Sequence, residues 1–374
     1  MEDATVALRP FSPPVPAGLD TPCLVIDLDV VEANARRLQA EMDGHGVRLR
    51  PHVKTHKSVA LGRIQVEAGA AGLTVGTLGE AEVFAAAGLT DLFLAYPVWA
   101  VGAKAARLRA LHDAVDLAVG FDSVAGAERL AAAVAGSRRP LRTRLEIDSG
   151  GHRTGVGSPD LAAESARAAV ELGLVVEGVF THGGHGYAGP EARAPAAADE
   201  VRTLTAAADA LAAAGLPVTI LSAGSTPTMH DAAVGRVTEM RAGTYLLGDR
   251  QQVAIGAIPA DALAAHVIAT VVSTAVPGQV VIDAGAKALT KARAPFLTGF
   301  GWLPAFPDTV IERVNDYHGV VRIPSGSAAP HLGEVVAVAP NHVCPVVDLF
   351  DTFLAVRSAD IVGRWPVDAR GRSG

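Results

Sequence analysis

Short apolar runs alternate with longer amphipathic segments over roughly the first two thirds of the chain. The short runs have the length and composition of buried strands, and the segments between them repeat apolar residues at helical spacing. Eight strands are predicted, at 47–52, 72–76, 91–95, 116–120, 142–147, 175–181, 218–222 and 237–242. The clearest predicted helices between them are 103–112, 124–135, 160–172 and 196–214. Eight strands joined by crossover helices predict an α/β fold, a TIM-like (β/α)8 barrel over residues 28–249.

The pattern changes after about residue 250, where β-branched runs are separated by proline and glycine without long helices between them. These runs lie at 267–274, 279–283, 310–314, 334–339 and 352–357. They predict a C-terminal, mainly antiparallel β-domain over residues 250–374. The early apolar run 23–27 is left over from the barrel count, so residues 1–27 are predicted to join this domain. The last residues, 370–374, are predicted to be frayed.

Composition narrows the classes of protein to consider. Of 374 residues, 49% are hydrophobic and only 19% charged, which predicts a large core and excludes a disordered chain. A net charge of −7 offers no electrostatic reason to bind nucleic acid or an anionic membrane. Two cysteines do not make a disulfide framework, and neither a signal peptide nor a membrane span is recognisable. We therefore expect a cytoplasmic protein that acts on a small molecule.

The first predicted barrel strand runs into a cluster of ionisable residues, RPHVKTHK at 50–57. Barrels build their active sites from the loops beyond the C-terminal ends of the strands. If apolar strands enclosed Lys54, its amine would lose solvation, its pKa would fall, and it could act as nucleophile or base. Lys57 is predicted to begin the next helix and to be solvated. The same segment is also compatible with a solvated basic loop.

The loops after strands seven and eight are where barrels commonly hold phosphate. The first of these loops is SAGST at 222–226, whose small residues let backbone N–H groups approach an anion closely. An ordinary helix cap with a glycine turn would have the same composition. Beside a lysine after strand one, a phosphate site suggests pyridoxal phosphate, with Lys54 as its Schiff-base partner. The candidate cofactor-binding residues of the two loops are Ser222, Gly224, Ser225, Thr226, Gly243 and Tyr245.

Further polar residues follow strands five and six. Arg153 could face the cofactor ring and keep its pyridine nitrogen unprotonated, because two adjacent positive charges are unfavourable. A structural salt bridge from Arg153 to Asp148 is the alternative. His182 and His185 flank a pair of glycines, so we expect at least one of them to face the pocket. Tyr187 could stack on the cofactor or donate a hydrogen bond to its phosphate.

The β-domain contains a candidate metal site in NHVC at 341–344. If this segment is a strand, His342 and Cys344 point to the same face. Imidazole and thiolate together favour zinc or another borderline metal, and thiolate binds magnesium poorly, so zinc or manganese is expected. A buried thiol near a surface histidine is the alternative.

Together these segments resemble the D-threonine aldolase and eukaryotic-type D-serine dehydratase family. The resemblance extends from about residue 21 to residue 357 and is carried by RPHVKTHK at 50–57, DSGGHRTG at 148–155, THGGHGY at 181–187, SAGST at 222–226 and NHVC at 341–344. It implies an alanine-racemase-like, fold-type III barrel that binds pyridoxal phosphate on Lys54. It also implies a divalent metal held by His342 and Cys344, β-hydroxy-D-amino acid substrates and a homodimer.

Two reactions are compatible with this resemblance. Cys344 stands where the dehydratase-like members have cysteine and the aldolases tend to have aspartate, which favours zinc and β-elimination to a keto acid and ammonia. In the alternative, a base such as His182 or a metal-bound hydroxide takes the β-hydroxyl proton, and retro-aldol cleavage gives glycine and an aldehyde. The run NDYHG at 315–319 departs from the Glu-Glu-His-Gly expected of the family, which leaves the substrate contacts there open. An amino-acid racemase and a non-catalytic pyridoxal phosphate carrier are further hypotheses, and the β-domain argues against a carrier.

Overall fold

The computed structural model describes residues 15–16, 18–358 and 360–374. Residues 1–14, part of the segment predicted to join the β-domain, lie outside the described residues. The chain divides into two compact units. The barrel unit comprises Ala35–Gly243 and Gly371–Gly374, and the β-unit comprises the chain up to Asn34 together with Thr244–Arg370.

Regular structure begins with strand β1, Cys23–Asp27, and helix α1, Leu28–His45. The barrel strands are β2 Arg48–Leu49, β3 Leu73–Val75, β4 Asp91–Leu94, β5 Asp116–Phe121, β6 Arg142–Glu146, β7 Val175–Phe180, β8 Ile220–Ala223 and β9 Glu239–Met240. All of these neighbours pair in parallel in the order β2-β9-β8-β7-β6-β5-β4-β3, and a parallel bridge between His52 and Thr74 joins the two ends. The predicted (β/α)8 barrel is confirmed.

Helices follow the barrel strands: α2 Val59–Glu67, α3 Leu78–Ala86, α4 Ala103–Ala114, α5 Val124–Ala133, α6 Pro159–Glu171 and α7 Arg193–Ala213. Several begin at a hydroxyl side chain that accepts a first-turn N–H, as Thr77 does from Glu80 at 3.0 Å and Ser123 from Gly126 at 3.2 Å. Such caps satisfy backbone donors that a helix start leaves unpaired. They therefore define where each loop ends after its strand.

A buried ionic network crosses the barrel interior. Glu239 accepts a hydrogen bond from Arg50 Nε at 2.8 Å and pairs with Arg144, whose guanidinium lies 4.2 Å from the centre of the Phe93 ring. Burial alone would raise the pKa of Glu239, but the charges of Arg144 and Arg50 outweigh it and lower the pKa to about 2. The carboxylate is therefore ionised at neutral pH, as a buried ion pair requires.

The remaining strands form the β-unit: β10 Ala265–Ser273, β11 Gln279–Ile282, β12 Val310–Val314, β13 Gly319–Arg322, β14 Val335–Val338, β15 Thr352–Arg357 and β16 Asp360–Pro366. They pair with β1 in the order β12-β13-β11-β10-β1-β15-β16, with β14 on the other side of β10. Among the described strands of this unit, only β1 and β15 pair in parallel, so the mainly antiparallel character is confirmed. Its core includes Val25, Ile268, Ala337, Leu354 and Val356. Three short helices, α8 Arg250–Ala254, α9 Ala286–Leu289 and α10 Val343–Val347, complete it.

The prediction that residues 370–374 are frayed is wrong. Thr77 Oγ1 donates to the carbonyl oxygen of Arg372 at 2.6 Å, and Arg107 Nη2 donates to that of Gly374 at 2.9 Å. A Cβ on Gly79 would lie 2.9 Å from the Gly374 oxygen, so this segment packs directly against the start of α3. None of the helices in the described part of the chain combines the length and apolar character that crossing a bilayer requires.

Candidate active site

The lysine of the first barrel strand lies on a single 3₁₀ turn, Val53–Thr55, that follows β2. His52 precedes the turn, and its Nδ1 accepts the backbone N–H of Lys54 at 3.3 Å. The side chain of Lys54 is exposed, so the expectation that apolar strands enclose it is wrong. The reason is local, because the turn carries Lys54 past the last residue of the strand.

Lys57 also departs from its prediction. It is buried, adopts a left-handed backbone conformation with φ of 50°, and precedes α2 instead of beginning it. Its Nζ lies 3.7 Å from Oε1 of the buried Glu80. A buried carboxylate needs a counter-charge, and Lys57 supplies one. The two lysines therefore have distinct environments, and the exposed one is Lys54.

Positive charge gathers around two imidazoles at this end of the barrel. Burial lowers the pKa of both His52 and His182 well below the ordinary value, and the charges of Lys54 and Arg241 lower both further. Arg153 acts on His182 in the same direction. The charges of Lys54 and Arg153 thus both act on His182, and the sequence predicted these three residues to share a site. Neutral imidazoles among several cations make a site that suits an anionic ligand.

Arg241 is a member of this cluster that the sequence did not assign. It follows β9 directly and is almost fully buried, and burial lowers its pKa to about 10. Its guanidinium donates to Ser222 Oγ at 2.7 Å and to the carbonyl oxygen of Thr181. An arginine directly after a barrel strand was the signal in the sequence, because the loops at that end build the active site.

The candidate phosphate segment is shaped by close packing. Gly224 has a φ of 106°, and a Cβ there would lie 2.0 Å from Met240 Sδ, so only glycine fits. Ser222 lies inside the barrel, where its hydroxyl donates to Glu239 Oε1 at 2.6 Å and accepts from Arg241. Ser225 and Thr226 are buried on the loop beyond β8. Their position matches the predicted segment, while the hydroxyl of Ser222 is engaged in the interior network.

Two backbone donors of this segment are paired within the protein. The N–H of Gly224 donates to Glu200 Oε1 at 3.0 Å, and the N–H of Ser225 donates to Thr228 Oγ1 at 3.1 Å. Glu200 Oε1 also accepts the N–H of Gly183 at 2.7 Å. Burial raises the pKa of Glu200, and it outweighs the hydrogen bonds that Glu200 accepts, which lower the pKa. One carboxylate on α7 therefore holds the loops after β7 and β8 together.

The loop after β9 contains the other two predicted cofactor residues. A Cβ on Gly243 would lie 2.8 Å from the carbonyl oxygen of His52 and 3.2 Å from Thr55 Oγ1, so this glycine permits close approach to the lysine turn. Tyr245 is buried in the 3₁₀ turn Thr244–Leu246 of the β-unit. The structure therefore assigns these two residues to different units.

A cavity of about 310 Å³ opens beside the loops after β6 and β7. It is lined by Glu146, Ile147, Asp148, Ser149, Gly151, Arg153, Thr154, His182, Gly184 and Tyr187. The rings of His182 and Tyr187 lie 6.2 Å apart. His185 instead places Nε2 3.3 Å from Asp199 Oδ2 and is not among the lining residues. Of the two predicted histidines, His182 is the one that faces this cavity.

The Arg153–Asp148 salt bridge, which was the alternative to a role at the cofactor, does not form. Asp148 Oδ2 pairs with His152 Nδ1 at 2.7 Å, while Arg153 Nη2 lies 4.0 Å from Glu146 Oε1. Glu146 is a buried carboxylate in the cavity wall that the sequence did not assign, and burial raises its pKa. The sequence feature that could have indicated Glu146 is an acidic residue between Leu145 and Ile147 at the end of a barrel strand.

The candidate metal residues lie in the β-unit, and their predicted strand is wrong. His342 precedes α10 and Cys344 lies in its first turn, with Sγ 3.8 Å from Thr244 Oγ1. Asp249 Oδ2 accepts the N–H of Val343 at 3.0 Å and so satisfies a donor at the helix start. Burial raises the pKa of Asp249 to about 6, although the charge of His342 acts to lower it. Within the described residues, no cluster of three or more His, Cys, Asp or Glu side chains is arranged to hold a metal.

Comparison with known proteins shows the family to which this chain belongs. Residues 26–251 match the family described as alanine racemase, N-terminal domain, and residues 264–356 match the putative serine dehydratase domain. The chain is 38% identical to D-threo-3-hydroxyaspartate dehydratase of Delftia sp. (strain HT23), over 93% of this chain and 97% of that enzyme. It is 34% identical to D-threonine aldolase of Arthrobacter sp, over 96% of this chain and 94% of that enzyme.

Solved structures of D-threo-3-hydroxyaspartate dehydratase give the same relationship. A cysteine-to-alanine mutant in the metal-free form superposes with a TM-score of 0.84 at 37% identity, over 93% of this chain and 97% of that one. A histidine-to-alanine mutant, altered two positions earlier, also has a TM-score of 0.84 at 37% identity, over 93% and 95% of the two chains. The family resemblance inferred from the motifs is confirmed. The chain belongs to the alanine racemase N-terminal domain family and carries a putative serine dehydratase domain in its second unit.

Proposed function

We propose that this protein is a pyridoxal phosphate- and divalent metal-dependent lyase that acts on β-hydroxy-D-amino acids, with β-elimination to a keto acid and ammonia as its main reaction. The observation that carries the proposal is the cavity lined by Arg153 and His182, with the charges of Lys54 and Arg241 acting on His182. The relatives support the substrate class, since they are named for D-threo-3-hydroxyaspartate and D-threonine.

The residues present fit pyridoxal phosphate, and the fold family is one of pyridoxal phosphate-dependent enzymes. Lys54 is exposed and carries the amine that an aldehyde requires, and the neighbouring cations suit a phosphate. Gly224 and Gly243 lie where a side chain would collide with Met240 or His52, so these two loop positions require glycine. When bound, this cofactor withdraws electrons from the Cα of an amino acid and weakens the bonds to that carbon.

The chain's own groups would then handle the protons. The amine of Lys54 would hold the cofactor and serve as the base that takes the Cα proton. His182 is uncharged at neutral pH because burial and the neighbouring cations lower its pKa, so its imidazole can accept a proton. In the retro-aldol alternative it would take the proton of the β-hydroxyl. Arg153 and Arg241 would hold anionic groups of cofactor and substrate.

His342 and Cys344 would hold the divalent metal, which we propose to be zinc or manganese. Their imidazole and thiol groups are donors suited to a borderline metal. The spacing supports this assignment, because the related dehydratase has been solved as histidine and cysteine mutants two positions apart, the latter metal-free. A metal held by two protein ligands keeps open positions and can act as a Lewis acid on a leaving hydroxyl group.

The experiment that tests the function is a product analysis. Purified protein loaded with pyridoxal phosphate and zinc or manganese is incubated with D-serine, D-threonine and D-threo-3-hydroxyaspartate. Keto acid and ammonia from D-serine or D-threo-3-hydroxyaspartate support elimination, whereas glycine with an aldehyde supports the aldolase alternative. Inversion at Cα without cleavage, or no turnover at all, would overturn the proposal in favour of a racemase or a carrier.

We also propose that the active form is a cytoplasmic homodimer. Closure by a second subunit would exclude water from the reacting carbon, as lyase chemistry requires. Specific activity should then fall on dilution together with the dimer fraction measured by analytical ultracentrifugation. Full activity in a monomeric sample would contradict the dimer without affecting the proposed reaction.

A further inference from the structure

We propose that Glu146 is the positioning residue for Arg153. One oxygen of its carboxylate has no hydrogen-bond partner among the described residues and would receive the guanidinium of Arg153 at the cavity. This inference deepens the proposed function and rests on it where it concerns the cofactor. The contact between the two side chains can be tested without the cofactor.

Glu146 is the last residue of β6, and only 3% of it is exposed. Its Oε1 accepts the hydroxyl hydrogen of Thr154 at 2.9 Å. Its Oε2 is buried, has no partner within the described residues, and belongs to a side chain that lines the 310 Å³ cavity. A buried carboxylate oxygen without a donor is unfavourable, so its environment calls for a donor that can reach it.

Arg153 is the cation in position to be that partner. Its Nη2 lies 4.0 Å from Glu146 Oε1, just outside hydrogen-bond distance, and its side chain is 64% exposed. The guanidinium therefore has room to move towards the carboxylate. Paired through both oxygens, it would form the bidentate arrangement that gives arginine–carboxylate contacts their strength and fixed orientation.

The loop that carries Arg153 is already fixed on both sides. Asp148 Oδ1 accepts the backbone N–H groups of Gly150 at 2.9 Å and His152 at 3.0 Å. Beyond the arginine, Thr154 bonds Glu146 itself, and the N–H of Gly155 donates to Asp122 at 3.3 Å. The side chain of Arg153 can thus close onto Glu146 without a rearrangement of the backbone.

The other charged groups near Glu146 do not compete for this role. Arg241 acts on Glu146 electrostatically, but its guanidinium already donates to Ser222 and Thr181. Asp122 is an acid and repels the carboxylate. Arg153 is therefore the cation that best fits the unpartnered oxygen. Held there, it has one orientation, whereas an exposed arginine samples many rotamers.

The test measures how readily Arg153 reacts with phenylglyoxal, which labels accessible guanidinium groups, by mass spectrometry of its peptide. The wild-type protein is compared with Glu146→Gln and Glu146→Ala, each with and without pyridoxal phosphate. Glu177→Gln is the matched control, because Glu177 also pairs with arginines, Arg142 and Arg144, but does not line the cavity. We expect about a tenfold rise in labelling for both Glu146 variants and wild-type labelling for the control.

Pyridoxal phosphate should also slow the labelling of Arg153 more in the wild type than in Glu146→Gln. Equal labelling rates in wild type and Glu146→Gln would overturn the inference, even if the cofactor binds with its normal visible absorbance. Absence of that absorbance in the wild type would instead refute the proposed function. The labelling rates measured without cofactor would still test the contact between Glu146 and Arg153. If neither variant folds by circular dichroism, Glu146→Asp, which withdraws the charge by one methylene, should label faster than wild type. Wild-type labelling of that variant would also overturn the inference.

Discussion

The Oε1 atom of Glu200 accepts a hydrogen bond from the backbone nitrogen of Gly224 at 3.0 Å. The same oxygen accepts the N–H of Gly183 at 2.7 Å. Gly183 directly follows His182, and Gly224 directly precedes Ser225. A single fully buried side chain thereby fixes the candidate base and the candidate phosphate segment relative to each other.

Two replacements of Glu200 should distinguish what its hydrogen bonds and its charge each contribute to the free energy of unfolding. Glu200→Gln keeps an oxygen that can accept both N–H groups, whereas Glu200→Ala leaves two buried donors unpaired and should cost about 2–5 kcal/mol in the free energy of unfolding. Because burial raises the pKa of Glu200, its ionisation destabilises the fold as pH rises, so Glu200→Gln should gain stability relative to wild type at higher pH. Urea denaturation across pH measures both effects. Equal stability of the Ala and Gln variants would show that the hydrogen bonds contribute little.

The interior ion network predicts an acid-sensitive fold. Glu239→Gln leaves Arg50 and Arg144 without their shared carboxylate and should cost about 3–5 kcal/mol. The pKa of Glu239 is lowered to about 2, so its stabilisation is complete above its unfolded pKa of about 4.5 and is lost as pH falls towards 2. Between about pH 4.5 and pH 2, the free energy of unfolding of the variant should therefore fall less steeply than that of the wild type. Urea denaturation at each pH measures it. Glu82→Gln, which removes a half-exposed pair with Arg107, is the control and should cost less than about 1 kcal/mol.

The sequence could predict the architecture because hydrophobic periodicity reports which face of each element is buried. Strand β12 at Val310–Val314 and helix α5 at Val124–Ala133 were predicted to within two residues. The segment 341–344 was misread because apolar and polar residues alternate there in a way that also fits the start of a helix. What decides its conformation is Asp249, which accepts the N–H of Val343 and is remote in sequence.

The candidate site was predicted less completely than the fold. Glycines and the lysine could be located because loops after barrel strands carry function. Glu146 and Arg241 were not assigned, because their positions at strand ends are a weak signal: a charged residue there is compatible with the surface or the interior until its partners are known. The exposure of Lys54 also depends on the 3₁₀ turn at Val53–Thr55, which periodicity in so short a segment does not reveal.

The two lysines of the first loop should behave differently when replaced. Lys54→Ala should abolish the visible absorbance of bound pyridoxal phosphate, and borohydride reduction of the wild type should place the pyridoxyl group on the peptide at Lys54. Lys57→Ala should bind the cofactor but lose about 2–4 kcal/mol, because it leaves the buried Glu80 without its counter-charge. Absorbance titration measures cofactor binding and urea denaturation measures stability, so together they distinguish the two variants. Pyridoxyl label on Lys57 would reverse the assignment.

The two cysteines provide a matched pair for testing the metal. Cys344 is the proposed ligand, whereas burial raises the pKa of the Cys23 thiol to about 11, so Cys23 is not a thiolate at neutral pH. Cys344→Ala should lose bound zinc or manganese and lyase turnover while keeping the visible absorbance of the cofactor on Lys54. Cys23→Ala should keep the bound metal, the lyase turnover and the cofactor absorbance. Elemental analysis, a product assay and absorbance spectroscopy measure these three properties.

The choice of metal follows from the same thiolate. Sulfur is a soft ligand, so zinc or manganese should restore the chelated enzyme more effectively than magnesium, which prefers oxygen. His342→Ala should resemble Cys344→Ala, because either change removes half of the protein donors. The metal-assisted mechanism requires turnover to depend on these donors. If Cys344→Ala retained wild-type turnover in metal-free buffer, the metal-assisted mechanism would have to be abandoned.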